Sequence, residues 1–360
     1  MDFDRHSVRG PDLQAQARAQ AHWNSIAKPV GSLGLLEKLI IRIAGIQRTE
    51  DVDISRKAVA VLCADNGVVE EGVTQTGSEV TAVVTENFAK GITSVNAMAR
   101  AAGAEVVPVD IGVSRKIFHP GVLNRKVAFG TKNITREAAM SPEEVRKAVK
   151  TGMELVRELK ERGCRLIATG EMGIGNTTTS SAVACVLLGQ SAQRMTGRGA
   201  GLTDSGLIRK ICAVEKAIAV NRPDPENPLD VLQKVGGLDL AGLAGVFLGG
   251  AVYEVPVVAD GFISVTAALA AVRLCPACRE YILPSHLSRE PGARMVTQAL
   301  GMEPVIHGEL SLGEGTGAVA LFPLLDMALA VYRQNSTFEK INIPAYEVFN
   351  KKAENEPFNR

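Results

Sequence analysis

Aromatic residues are scarce in this 360-residue chain: one tryptophan, four tyrosines and ten phenylalanines against 35 glycines. That imbalance points to tight backbone turns and closely packed helices. An excess of one charge sign is also missing. Forty Lys and Arg offset 39 Asp and Glu, for a net charge of +1. A dedicated binder of nucleic acid or anionic membrane needs a basic excess or patch, so that class is disfavoured. No uncharged apolar run approaches the ~20 residues of a membrane helix; the richest, Leu238 to Val258, is broken by Asp239, Glu254, Pro256 and several glycines. Met1-Asp2-Phe3-Asp4-Arg5-His6 is too polar for a secretory signal, and a cytoplasmic setting is expected. The five histidines show no metal-ligand spacing. Neither GxSxG nor a Cys–His pair in a family context occurs, so redox, zinc-hydrolase and serine-hydrolase chemistry lack support.

Hydrophobic content of 46% and charged content of 22% are those of a globular chain. A chain of this length buries roughly three-quarters of its unfolded surface, enough for a core without disulfides or metal. Length alone suggests about two domains. Cys63, Cys164, Cys185 and Cys212 lie in apolar runs and read as small buried hydrophobes. Cys275-Pro276-Ala277-Cys278 is a lone CxxC after the apolar segment Val265 to Leu274. It has no second pair for zinc and reads as a structural helix end.

The pattern along the chain alternates strands and helices. Residues 1–50 are helical, broken at Lys28-Pro29-Val30-Gly31-Ser32-Leu33-Gly34. Ala58 to Ala64 suits a buried parallel strand. Helical spacing runs from Thr81 to Ala102, and Val106 to Ile111 is a second strand. Ser141-Pro142-Glu143-Glu144 opens a helix with a capping box, and that helix ends near Arg162. Cys164 to Thr169 and Val255 to Ala259 are strands, and another precedes Ser285. Further helices fit 178 onward, Asp204–Val220, Asp239–Ala251, Ser264–Leu274, Pro291–Leu300 and Gly317–Tyr332. The alternation predicts an α/β fold with a mostly parallel sheet, helices on both faces, and ligands beyond the strands' carboxyl ends. The polar tail Lys351–Arg360 is expected to fray.

Three Gly-rich segments sit at such strand ends or helix starts. Gly170-Glu171-Met172-Gly173-Ile174-Gly175-Asn176-Thr177 joins a strand to a helix and suits an anion such as phosphate. It is neither a P-loop nor GxGxxG, and an ordinary tight turn reads the same. Gly197-Arg198-Gly199-Ala200-Gly201-Leu202-Thr203-Asp204 precedes a helix that carries Lys210; a flexible loop looks similar. Leu312-Gly313-Glu314-Gly315-Thr316-Gly317 sets one carboxylate among three glycines before an apolar helix. Glu314 fits a general base, or a helix-start carboxylate facing the macrodipole.

Taken in order, these segments resemble the nicotinate-nucleotide:dimethylbenzimidazole phosphoribosyltransferase family of cobamide synthesis. The resemblance runs through nearly the whole chain. It also takes in Glu71-Gly72-Val73, Val80-Thr81 with Asn87-Phe88, Val235-Gly236-Gly237, Asp260-Gly261-Phe262, Ser285-His286 and Glu290-Pro291-Gly292. It implies a Rossmann-like catalytic domain over 51–332 and a small helical domain from 1–50 and 333–360. It further implies a homodimer in which the partner partly closes each site.

The implied reaction moves the phosphoribosyl group of nicotinate mononucleotide to an aromatic base, giving an α-ribotide 5′-phosphate and nicotinate, without metal or cofactor. Glu314 matches the family's general base. Gly173, Gly175, Asn176, Thr177, Gly201 and Lys210 match its phosphate and ribose contacts. Glu171 matches a carboxylate near the ribose, and Ser288 a serine beside the phosphate. The acceptor pocket carries over to Asn66, Thr74, Val83 and Leu312. Departures cluster around the acceptor. Asn66 replaces a histidine, Val80-Thr81-Ala82-Val83-Val84 lacks a glutamine that helps hold the benzimidazole, and Gly77 and Ala293 replace a proline and a histidine. Ser311 replaces an arginine. Some relatives work as pairs of similar chains and accept phenols, so relaxed or altered acceptor choice is expected. The rival is a non-catalytic or co-catalytic paralogous subunit. A nicotinamide-dependent dehydrogenase lacks its GxGxxG fingerprint.

Overall fold

A computed structural model describes residues 8–346; the expectations for Met1–His6 and Lys351–Arg360 fall outside them. Six strands form one sheet: β1 (Lys57–Ala64), β2 (Ala104–Gly112), β3 (Leu123–Asn124), β4 (Leu166–Met172), β5 (Val257–Ala259) and β6 (Ile282–Pro284). Their spatial order is β3-β2-β1-β4-β5-β6, and every pairing is parallel. β1 is buried at all its positions, as an uninterrupted apolar run in a doubly covered sheet requires. Strand order reverses between β1 and β4. That switch point opens a crevice at their carboxyl ends.

Thirteen helices are described. They are α1 (Leu13–Ser25), α2 (Leu35–Gln47), α3 (Glu79–Lys90), α4 (Ser94–Ala101), α5 (Pro142–Glu161), α6 (Asn176–Leu188), α7 (Ala192–Met195), α8 (Asp204–Asn221), α9 (Pro228–Val235), α10 (Leu238–Val252), α11 (Phe262–Leu274), α12 (Pro291–Ala299) and α13 (Thr316–Gln334). The capping box of α5 forms as its sequence demands: Glu144 N–H donates to Ser141 Oγ, and Ser141 N–H to Glu144 Oε2. Glycines let α5 and α10 meet backbone to backbone. A Cβ on Gly152 would lie 2.0 Å from Gly242 O, and one on Gly245 2.0 Å from Val149 O.

Several local expectations differ from the structure. The helical spacing from Thr81 to Ala102 is two helices, parted at Gly91 (φ 76°) and restarted at Thr93, whose hydroxyl and the Asn96 amide close a capping box. β4 begins later than its apolar run and continues through Gly170-Glu171-Met172, so Glu171 stands on the sheet, paired in register with Leu62. α9 follows Asn227-Pro228, a cap and first-turn proline inside a polar stretch. Cys212 is exposed, because the buried side of α8 carries Lys210, Ala213, Val214 and Ala217. Cys275 caps α11, and both it and Cys278 are free and buried. α13 is long and apolar enough to cross a membrane by composition, yet 56% of that window is buried in the protein and it holds Pro323 and Asp326.

The chain divides into two compact units. One comprises Asp53–Pro323 with the short lead-in before Asp12; it holds the sheet. The other comprises Asp12–Val52 and the described chain from Leu324. In this second unit Asp12 caps α1 by accepting from Gln14 and Ala15 N–H, and Trp23, 1% exposed, packs edge-on against Tyr332 at 5.0 Å. The turn from Lys28 to Gly34 joins α1 to α2 and is tied by Lys28 Nζ donating to Glu37 Oε1 at 2.6 Å.

Candidate active site

The carboxyl end of β4 builds one wall of a cleft. Glu171 stands near the end of the strand, and Gly173-Ile174-Gly175 turns into α6. Gly173 must be glycine, since a Cβ there would lie 2.3 Å from Ala64 O and 2.8 Å from Asp239 Oδ2. Gly175 adopts φ 92° and starts α6 without a side-chain cap. Asn176 Nδ2 donates to Glu171 Oε2 and, at 3.1 Å, to Asp239 Oδ2, so one amide bridges two buried carboxyls. Burial pushes the Glu171 carboxyl up to about 8; the Asn176 hydrogen bond opposes this, and the charges of Asp239 and Asp260 add to it. Burial likewise raises Asp239 to about 6, against hydrogen bonds from Asn176 and Leu240 N–H.

The second wall is the loop before α8. Lys210, 1% exposed, sends its ammonium into that loop. It donates to Thr177 Oγ1 at 2.8 Å and to Gly197 O at 3.1 Å. Burial draws its pKa down to about 8, which the Glu290 carboxylate resists. Gly199 N–H donates to Glu290 Oε1 at 3.0 Å, and Glu290 N–H to Ser288 Oγ at 3.4 Å. These contacts place the 197–201 loop over the start of α6, where unsatisfied N–H groups and the helix dipole favour an anion.

The third wall joins β5, β6 and the start of α13. Asp260 follows β5 and is 3% exposed. Its Oδ2 accepts from Gly315 N–H at 3.2 Å and its Oδ1 from Ala318 N–H at 2.9 Å. Gly313, Glu314 and Gly315 have φ of 82°, 62° and 92°. Glu314 is therefore a non-glycine residue held left-handed between two glycines, a strained geometry that clusters at functional sites. Its Oε2 accepts from Val95 N–H at 3.5 Å. Burial raises its pKa, opposed by that hydrogen bond and aided by the Asp260 charge. His286 packs beneath, its ring on the space a Cβ of Gly317 would fill. Ser285 Oγ donates to Ala259 O at 2.6 Å, so it accepts from His286 Nδ1–H at 3.1 Å. That arrangement leaves Nε2 as the bare acceptor. Burial lowers the His286 pKa, against the Asp260 charge, and keeps the ring neutral near pH 7.

Of the residues expected from sequence, Glu171, Gly173, Asn176, Thr177, Ser288, Leu312 and Glu314 line this cleft together. Gly175 and Lys210 are buried behind the lining, and Gly201 is exposed on the loop beside it. Asn66, Thr74 and Val83 do not line it. Asn66 is buried and accepts from Thr179 Oγ1, Thr74 Oγ1 donates to Thr76 O, and Val83 is 57% exposed on α3. Ser311, one of the departures expected near the acceptor, does line it. Sequence reasoning assigned no role to Asp239, Asp260 or Glu290. Asp260 and Glu290 lay inside matched segments; Asp239 signalled itself only as a lone charge in an apolar run. Among the described residues no group of three His, Cys, Asp or Glu is arranged to hold a metal.

A phosphoribosyltransferase family model matches residues 8–343. A nicotinate-nucleotide–dimethylbenzimidazole phosphoribosyltransferase of Ruminiclostridium cellulolyticum is 49% identical over 342 residues, covering 95% of this chain and 97% of its own. The protein of the same name from Acetivibrio thermocellus is 51% identical over 328 residues, covering 91% and 93%. The crystal structure of CobT from Thermus thermophilus superposes with a TM-score of 0.87 at 40% identity, covering 92% of this chain and 99% of that one. With the sheet order, the Gly-rich walls and Glu314 in place, this chain belongs to the nicotinate-nucleotide–dimethylbenzimidazole phosphoribosyltransferase family.

Proposed function

We propose that the cleft transfers the phosphoribosyl group of nicotinate mononucleotide to an aromatic base, with Glu314 as general base. The observation that carries the residue assignment is Glu314 itself: a half-buried carboxylate of raised pKa, held left-handed on the cleft wall facing the Gly-rich loops. The donor's pyridinium leaves as nicotinate when the acceptor nitrogen attacks the anomeric carbon from the opposite face, which inverts β to α. A neutral azole attacks through its lone-pair nitrogen, and Glu314 takes the proton from its other nitrogen. With a phenol, Glu314 takes the hydroxyl proton instead. Its raised pKa makes it a stronger base that remains usable near neutrality.

The phosphate fits the start of α6, where Thr177 Oγ1 accepts from Lys210 and so keeps its own proton to donate outward. Glu171, largely protonated at neutral pH, can donate to a ribose hydroxyl while Asn176 fixes its other oxygen. The charges of Asp260 and ionised Glu314 favour the cationic sugar that develops as the bond breaks. Much of the rate comes from holding donor and acceptor in line. The six free cysteines fit a reducing, cytoplasmic setting. Exposed Leu312 on the cleft wall, with Val83 and Ile92 exposed on and after α3, supports a dimeric form.

The test offers nicotinate mononucleotide with dimethylbenzimidazole, benzimidazole, adenine, phenol and p-cresol in turn, following nicotinate and ribotide by chromatography and mass. Turnover with at least one acceptor is expected. Glu314→Gln is expected to cut kcat by ~10²–10³-fold. No product from folded protein with any acceptor would reject the transferase reading, and near-normal turnover by Glu314→Gln would reject the base assignment.

A further inference from the structure

We propose that Asp260 is a positioning residue for the transfer: its carboxylate clamps the start of α13, fixes the turn that presents Glu314, and supplies the fixed negative charge behind it. The inference rests on the reading of Glu314 as the base. Three observations carry it. Asp260 directly follows β5, is 3% exposed, and its own N–H is anchored on Thr169 Oγ1 and Ser264 Oγ, each at 3.2 Å. The backbone that carries the carboxylate is thus tied to β4 and to the start of α11. Both its oxygens then accept from α13: Oδ2 from Gly315 N–H and Oδ1 from Ala318 N–H. Gly315 is the residue directly after Glu314.

The turn needs such a clamp. Left-handed backbone at a non-glycine residue is strained and persists only where surroundings over-determine it. Glu314 is packed from the sheet side too: a Cβ on Gly170 would lie 2.5 Å from Glu314 O, and one on Gly315 3.0 Å from Thr169 O. Asp260 closes the remaining freedom by holding the next peptide N–H. A helix N-terminus also stabilises the anion there, so clamp and charge support each other.

The charged and titratable groups around this pair are few. Glu171 faces it from β4, with Asp239 behind through Asn176. His286 faces it from β6, its Nδ1 3.9 Å from Asp260 Oδ1. Glu290 lies farther along the cleft, with Lys210 behind it. α4 contributes only the Val95 N–H to Glu314. Asp260 thus touches both the turn that carries the base and the neutral imidazole, while the Glu171 carboxyl accepts from the Glu314 backbone on the other side. The Asp260 charge opposes ionisation of Glu314, which makes Glu314 the better proton acceptor.

The test compares Asp260→Asn, Asp260→Ser, Glu314→Gln and the double variant Asp260→Asn/Glu314→Gln in the full chain. Asn keeps one acceptor but turns an amide donor toward the second N–H; Ser removes the carboxylate without that clash. Both are expected to lower kcat by ~10–10²-fold while KM for nicotinate mononucleotide changes by less than ~3-fold. The acid limb of kcat, which reports Glu314, is expected to move to lower pH, because removing a neighbouring negative charge eases ionisation. In the Glu314→Gln background, Asp260→Asn is expected to cost little more, since it acts through a base already lost. Multiplying losses in the double variant, an unmoved acid limb, or failure of both single variants to fold would assign Asp260 to the fold and overturn the proposal. Retained activity in Glu314→Gln alone would instead reject the base.

Discussion

In the proposed reading Lys210 is a buried side chain that tunes a binding site it does not line. Two of its three N–H donors are spent on Thr177 Oγ1 and Gly197 O. Thr177 therefore presents a donor to the cleft, and the ammonium adds positive charge behind the phosphate loop. Lys210→Met keeps the stem and removes both effects, so KM for nicotinate mononucleotide is expected to rise by ~10–10²-fold, the worth of a charge-assisted contact. With a pKa of about 8, the wild-type lysine also predicts a fall in kcat/KM for the donor above that pH. Steady-state kinetics from about pH 6 to 9.5 checks both; a flat alkaline limb would count against this role. Residues of this kind mark how far the site was legible in sequence. Glu314 and the glycines stood out because local spacing announces them. Asp239 and Asp260 did not, because their meaning arises only when 171, 239, 260 and 315 converge, and a lone acid in an apolar run looks like an interruption.

The turn 313–315 carries the proposed base, and its glycines are not equivalent to others in the chain. Gly313 has φ 82°, and a Cβ there would lie 2.6 Å from Glu171 Oε1. Gly313→Ala thus meets both backbone strain and a carboxyl that is already hydrogen-bonded. It is expected to lose ~1–2 kcal/mol of stability and at least ~10-fold in kcat. Gly31, with φ 69° and nothing within 4 Å of its would-be Cβ, is the control. Gly31→Ala is expected to cost ~1 kcal/mol of strain and leave kcat alone. Thermal melts with kcat for both variants separate strain from function; equal kinetics would remove the special status of the turn. The same scale explains which elements were readable. Helices with caps, such as α5, and apolar strands, such as β1, declare themselves locally. The split between α3 and α4 did not, because the apolar spacing continues across Gly91. β4 ran past its apolar stretch because pairing to β1 carries Gly170-Glu171-Met172 into the sheet, and α9 was hidden by its short length and polar flanks.

Across the whole molecule, the buried ionisable groups of the cleft set how stability varies with pH. Glu171 and Asp239 have folded-state values of about 8 and about 6, above the ordinary 4.5 and 3.8. A carboxyl with a raised folded pKa binds its proton more tightly in the folded state. Its stabilising contribution is complete below the ordinary value and is lost as pH rises through the folded one. These two groups therefore make the unliganded protein less stable between about pH 4.5 and 8, Glu171 contributing more because its shift is larger. Lys210 has the opposite sense. Its folded value, about 8 against 10.5, means that its contribution is present above 10.5 and lost as pH falls through 8. Together the three place a stability minimum near pH 8, where the carboxyls have lost most of their contribution as pH rises and Lys210 has lost most of its own as pH falls. Chemical denaturation at about pH 5.5 and 8 is expected to show the protein weaker at pH 8 by a few kcal/mol, and Glu171→Gln to remove most of that difference. Wild type and Glu171→Gln with parallel profiles would show that the cleft's carboxyls are not what destabilises the molecule. If the donor binds as proposed, with its phosphate on the Lys210 side and its pyridinium near the carboxyls, saturating donor is expected to raise stability more at pH 8 than at pH 5.5.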